Sequence, residues 1–206
     1  MAVDQKFHKN RKRINVALQG GGAHGAFTWG VLERLMLDDR LFIDGLSGTS
    51  AGAMNAVVFT DGFVRGRQRQ AVSALHEFWR RVSEGALLTT TMNRPETPTM
   101  AREILNRINE ISFNSSLVRE MNGIATVSRL LDRSKVDGPG LAPVNFHLIQ
   151  AEDAMCHLGS SSKFNADWSF LSYLRELGLT TADRWLAEHF DQIGEGSTLD
   201  MFSTYE

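Results

Sequence analysis

Ser50 stands in Gly48-Thr49-Ser50-Ala51-Gly52, the spacing that presents a serine hydroxyl from a sharp strand-to-helix turn. Such a turn crowds the neighbours of its serine, so small residues are needed two positions before and two after, where Gly48 and Gly52 lie. The chemistry implied is nucleophilic attack on a carbonyl. Ala51 and Gly52 would open a helix, with free N–H groups and the positive dipole end directed at negative charge forming beside Ser50. Ala51 therefore supplies one half of a candidate oxyanion hole. Gly20, Gly21 and Gly22, earlier in the chain, are candidates for the other half, because residues without side chains let main-chain donors approach a reacting oxygen closely.

Each motif is short. With 18 glycines in 206 residues, such a serine spacing arises by chance in about one comparable chain in ten. Gly20-x-Gly22-x-x-Gly25 also fits the dinucleotide fingerprint, and Asp44 lies at about the distance of a ribose-binding acid. A purely structural glycine turn is a third reading. Against the dinucleotide reading, Asp44 is followed by Gly45 and leads into a second, nucleophile-type turn that a dinucleotide site does not need.

The elements that must position these turns follow from periodicity. Ile14 to Leu18 reads as a short strand of the buried, central kind, and Leu41 to Ser47 as a second. Helices are expected over Gly25 to Leu37, with Phe27, Trp29, Val31 and Leu35 inward, and over Gly52 to Phe63. A third spans residues 68 to 82 with Ala71, Leu75, Phe78, Trp79 and Val82 inward. Gly85 to Thr97 reads as a loop. Thr97-Pro98 signals the start of a helix and Ser115 to Leu131 a further one, while Asp137-Gly138-Pro139-Gly140 marks a turn. Val144 to Ile149 alternates as a third strand would. Two last helices are expected, Ala166 to Leu177 stopped by Gly178 and Thr181 to Ile193 stopped by Gly194, the first capped by Asn165. Met54, Trp168, Phe170, Trp185 and Phe190 read as packing residues.

Composition bounds the rest. At 206 residues, with 42% hydrophobic and 22% charged residues, the chain is long enough for one domain burying roughly 70% of its unfolded surface. A net charge of −2 argues against nucleic acid as a partner. Cys156, the single cysteine, cannot form an internal disulfide and lacks a basic neighbour. No apolar run approaches the roughly 18 residues of a membrane span, and no signal-type core follows the charged N-terminus. A cytoplasmic protein, peripheral to membranes at most, is the expectation. Residues 1–13, with Lys6, Lys9, Arg11, Lys12 and Arg13, read as a polar tail with a possible contact to anionic headgroups.

Gly20-Gly21-Gly22-Ala23-His24-Gly25 followed by Gly48-Thr49-Ser50-Ala51-Gly52 resembles the patatin-like phospholipases, in particular their bacterial members. The resemblance implies a lipid or other acyl ester as substrate, a Ser–Asp dyad with Ser50 as nucleophile, and Gly20, Gly21 and Gly22 as oxyanion donors. It implies neither metal nor organic cofactor. Gln19 and His24 stand where plant members often carry Asp and Arg or Lys. The expected architecture is α/β: a short, mostly parallel sheet carrying both turns at the carboxyl ends of its strands, then a helical C-terminal half. Residues 14–84 resemble the family's oxyanion and nucleophile segment and 98–206 its helical C-terminal segment in the same domain, with the loop 85–97 where several strands and the base would stand.

The base is the gap. No Asp-Gly-Gly or Asp-Gly-Ala occurs in the chain. Asp61 would lie about 16 Å along its helix from Ser50, Asp137 falls in a turn, and His24 reads as a local hydrogen-bonder. His76, His147, His157 and His189 have no metal-ligand spacing. The chain is thus expected to be a weak esterase at best, with an uncovered sheet edge that favours self-association. A non-catalytic remnant serving in interaction is the rival expectation.

Overall fold

Alternating half-buried and exposed residues from Lys12 to Leu18 form strand β1, which pairs in parallel with β2, Leu41–Gly48. The computed structural model describes residues 11–90, 123, 124, 126–129, 131 and 143–199. These residues fall into two compact units, 11–90 with Ile149–Glu188, and the remainder. Between the strands lie a single 3-10 turn, Gly22–His24, and helix α1, Gly25–Leu37. The register runs from Lys12 opposite Leu41 to Leu18 opposite Gly48, slipping between Ile14 and Asn15 so that Asp44 has no partner. Because both strands run the same way and end together, the glycine turn and the serine turn leave the sheet at one edge.

Helix α2, Ala51–Thr90, is interrupted at Gly66 and Arg67, whose backbone angles are not helical. The chain reverses there, because Gly62 in the first arm lies against Gln70, Ala71 and Ala74 in the second. Arg67, at φ 60 and ψ −150, occupies a region that sterics leave mainly to glycine. The expected inward positions hold: Ala71 and Leu75 are fully buried and Trp79 nearly so, in one cluster with Leu18, Trp29, Leu32 and Phe59. The helix also runs through Glu84 and Gly85 to Thr90, where a loop was expected. Residues 91–97, the helix expected from Thr97, most of that expected over Ser115 to Leu131 and the turn at Asp137 lie outside the described residues; 126–129 are helical.

Past Ile149 come one turn of helix, α3 (Glu152–Met155), a 3-10 segment, Ser160–Phe164, and helix α4, Trp168–His189. Two expected helices are one, since Gly178 does not stop α4. A Cβ on Gly178 would overlap the carbonyl oxygen of Phe27, and one on Gly30 that of Arg175. The two glycines let α1 and α4 cross at backbone contact. Asp167, rather than Asn165, caps α4 by accepting from Ser169 N at 2.8 Å; Asn165 accepts from Asp167 N one step earlier. The buried Glu33 carboxylate binds Arg175, whose guanidinium lies 5.0 Å over the Trp29 ring.

In the other unit, the expected third strand is not formed. Residues 143–150 have no strand partner. Phe146 N instead donates to Ser197 Oγ at 2.9 Å, and its carbonyl accepts from Thr198 and Leu199. Alternation supplies a two-faced strand only where a ladder and a core meet it, and Val144 is 46% exposed. Among the described residues the sheet therefore has two strands, and the fold is α/β with helices predominant.

Gly178→Ala is expected to lower stability by about 1–3 kcal/mol through overpacking. Gly85→Ala, in helix with open space around it, is expected to raise it by about 0.5–1 kcal/mol. Urea unfolding of the two variants checks both signs.

The turn from α1 into β2 yields a second expectation. Arg40 donates to the buried Asp38 through Nε at 2.8 Å and Nη2 at 2.7 Å, and Arg34 approaches at 3.4 Å. The hydrogen bonds from Arg40 hold the Asp38 carboxyl at about 2, against an ordinary 3.8. With the folded value depressed, this stabilisation is complete above about pH 4 to 5 and fades as pH falls toward 2. Asp38→Asn should cost about 2 kcal/mol at pH 7, and the difference from the parent should vanish near pH 2 in acid titrations of stability.

Candidate functional site

Ser50 has φ 51, a left-handed conformation that non-glycine residues seldom adopt. The strain has an identifiable frame. Thr49 N donates to Leu18 O at 3.2 Å, joining the serine turn to the end of β1, and Gly52 N donates to Thr49 O at 2.9 Å. Side chains are excluded on both sides of Ser50: a Cβ on Gly48 would stand 2.6 Å from the Gly52 carbonyl carbon, and one on Gly52 would overlap Leu18 O. The serine side chain is exposed at the open edge of the sheet.

The first turn lies directly beside it. A Cβ on Gly20 would be 3.0 Å from Ser50 Cβ. Gly21 and Gly22, at φ 145 and φ 59, hold conformations that require glycine. Among the described residues, no acceptor takes the N–H of Gly20, Gly21, Gly22 or Ala51. Four uncommitted donors and one strained hydroxyl thus share the carboxyl edge of two strands.

Two side chains that the sequence reading passed over hold the turns in place. Asn55, fully buried on the first arm of α2, donates through Nδ2 to Gly25 O at 2.8 Å and accepts from Trp79 Nε1 at 2.9 Å. A signal existed: Asn55 lies four residues from Ala51 and from Phe59, a polar residue on an otherwise apolar inward stripe. The second is Ser162, in the 3-10 segment before α4, whose Oγ is 2.7 Å from His24 Nε2. It lies 138 residues from His24, and no local pattern announces it. His24 is held below its ordinary pKa of 6.5 first by burial and then by the Lys163 charge, both of which favour the neutral imidazole.

The base candidates fare as follows. Asp61 pairs with Arg65 at 3.0 Å on the exposed face of α2, Asp44 pairs with Arg13 at 2.6 Å, and His24 serves Ser162; Asp137 lies outside the described residues. Among the described residues, no side chain hydrogen-bonds the Ser50 hydroxyl, and no cluster of His, Cys, Asp or Glu has metal-binding geometry. His76 packs edge-on against Trp29 and Trp168. Trp168 and Phe170 pack on the core as expected, but Met54 does not. Met54, Val57 and Val64 are 49%, 66% and 80% exposed and follow Ser50 by 4, 7 and 14 residues, so they share one outer helix face. The hollow at the α2 break, lined by Leu37, Arg67, Gln68 and Val72, begins about 24 Å along that helix from Ser50. No described helix is long and apolar enough to cross a membrane.

Two parallel strands that deliver a glycine turn and a strained serine turn to one edge, with helices predominant, define a short α/β fold. The chain matches the family described as Patatin-like phospholipase over residues 16–188 and belongs to that family, a family of lipid acyl hydrolases. Comparison with curated proteins and with solved structures finds no match.

If the left-handed backbone at residue 50 is the source of strain, Ser50→Gly should raise stability by about 1 kcal/mol and Ser50→Ala should not. Asn55→Ala should lose about 2 kcal/mol, since Trp79 Nε1 is left buried without a partner and Gly25 O loses one of its two bonds. Paired thermal and denaturant unfolding of the three variants tests this ordering.

Proposed function

We propose that this chain is a serine lipid acyl hydrolase in which Ser50 Oγ attacks the carbonyl carbon of an acyl ester, expelling the alcohol and forming an acyl-enzyme that water then cleaves. The N–H groups of Gly20, Gly21, Gly22 and Ala51 are the donors to the developing oxyanion, and Gly48 and Gly52 make room for the elbow. The observation that carries this reading is the strained Ser50 beside uncommitted donors at the shared strand edge. Strain at an exposed serine is costly without a use, and donors without acceptors beside it suit a charge that forms only during reaction. The substrate is a lipid or other acyl ester, and the exposed Met54, Val57 and Val64 face offers apolar surface for an acyl chain, a peripheral membrane contact or a second copy of the chain. The proposed location is cytoplasmic, peripheral to a membrane at most.

General-base help is worth about 10²- to 10⁴-fold, or roughly 3 to 5 kcal/mol. No base engages Ser50 among the described residues, which favours a weak enzyme and keeps the second reading, a non-catalytic remnant that binds partners, in contention. Against the dinucleotide reading, Asp44 pairs with Arg13 at the strand irregularity. Fluorophosphonate labelling separates the first two: the enzyme reading expects labelling that disappears in Ser50→Ala, and folded protein that takes no label establishes the remnant. Turnover of a short-chain nitrophenyl ester is expected below about 1 s⁻¹. A faster, Ser50-dependent rate would mean that a base does reach the serine.

A further inference from the structure

The 3-10 segment Ser160–Phe164 touches the glycine turn at two points. The Lys163 carbonyl fills the space that any side chain on Gly22 would need, so the two backbones meet there without intervening atoms. Beside this contact, Ser162 Oγ donates to Gly159 O at 2.6 Å and stands 2.7 Å from His24 Nε2. A hydroxyl has one proton, and Ser162 gives it to Gly159. The contact with His24 therefore requires the imidazole to donate through Nε2–H, which fixes the tautomer of a ring whose backbone closes the turn through His24 N to Gly21 O at 3.2 Å.

We propose that Ser162 is a positioning residue for the oxyanion turn: the chain His24 Nε2–H to Ser162 Oγ–H to Gly159 O, together with the Lys163–Gly22 backbone contact, holds the Gly20–Gly22 donors against Ser50. This assignment rests on the reading of Ser50 as nucleophile and deepens it. A turn of three glycines has more backbone freedom than any other sequence, and Gly21 and Gly22 are held at angles that they would otherwise leave readily. Asn55 fixes the turn at its exit into α1, through Gly25 O. Among the described residues nothing in β1, α1 or α2 hydrogen-bonds the His24 ring, and the segment before α4 supplies that restraint. The C-terminal part of the chain thus contributes to the site without touching substrate.

The test uses the 206-residue chain and follows the rate of fluorophosphonate labelling at Ser50 as probe concentration is raised. Ser162→Ala is expected to lower the maximal labelling rate about tenfold or more with the half-saturating probe concentration unchanged, and Ser162→Thr, which keeps the hydroxyl, to restore it. His24→Ala should give a similar loss, and the double variant no further loss, because the two residues act through one contact. Nitrogen NMR should show His24 fixed as Nε2–H in the parent and a tautomer mixture in Ser162→Ala. Labelling of Ser162→Ala at the parental rate, or additive losses in the double variant, would overturn the proposal. If the parent takes no label, the nucleophile reading has failed, and the brace is then judged by hydrogen exchange at Gly21, Gly22 and His24: faster exchange in Ser162→Ala upholds it, and unchanged exchange overturns it. Should Ser162→Ala not fold, the His24→Ala and Ser162→Thr arms decide.

Discussion

The arrangement depends on one buried amide. Asn55 is shut off from solvent and satisfied on both sides, donating to the carbonyl that opens α1 and accepting from the indole of Trp79 on the returning arm of α2. Those partners belong to the glycine turn's helix and to the far arm of the serine turn's helix. The two strands found among the described residues are too slight a sheet to fix two helices by themselves, since each offers only one ladder. The amide performs part of the task that further strands perform in larger sheets. Its contribution is specificity of position more than net energy, because a hydrogen bond inside the protein replaces one to water, whereas an unmade one in the core is costly.

Around that point the packing is unusually dependent on absent side chains. Gly30 and Gly178 bring α1 and α4 into backbone contact, Gly62 does the same for the two arms of α2, and Gly22 admits the backbone of Lys163. Each close approach gives up side-chain burial for dispersion contact between main chains, and each is intolerant of a single added methyl group. The aromatic cluster of Trp29, Trp79, Trp168 and His76 fills the volume between these crossings, with Arg175 stacked on Trp29 and anchored by Glu33. Stripping either partner from that ion pair would leave the other charge uncompensated in a mostly dry environment.

The site is correspondingly lopsided. Main-chain N–H groups without acceptors stand beside the strained Ser50, whereas no side chain among the described residues hydrogen-bonds its hydroxyl. An oxyanion site costs only backbone strain and glycine entropy, both local, while a general base has to be carried to the serine by another element of the fold.

What the sequence determined by itself was everything encoded within a few residues. The G-x-S-x-G spacing, the three glycines, the apolar runs before them and the inward stripe of Ala71, Leu75 and Trp79 follow from local sterics and periodicity, and the structure places them accordingly. Tertiary structure decided the rest, for reasons visible at particular residues. Gly178 looks like a helix stop but is read through by α4, because the demand on it comes from Phe27 on another helix. Val144 to Ile149 alternates like a strand yet forms none, because among the described residues no neighbouring strand offers a ladder and Ser197 to Leu199 take up the backbone of Phe146. Met54 looks like a core residue and lies outside, because which face of α2 turns inward was settled by Asn55 and Trp79. The pairing of His24 with Ser162 joins residues 138 positions apart, and only folding could reveal that the glycine turn is held from the opposite end of the chain.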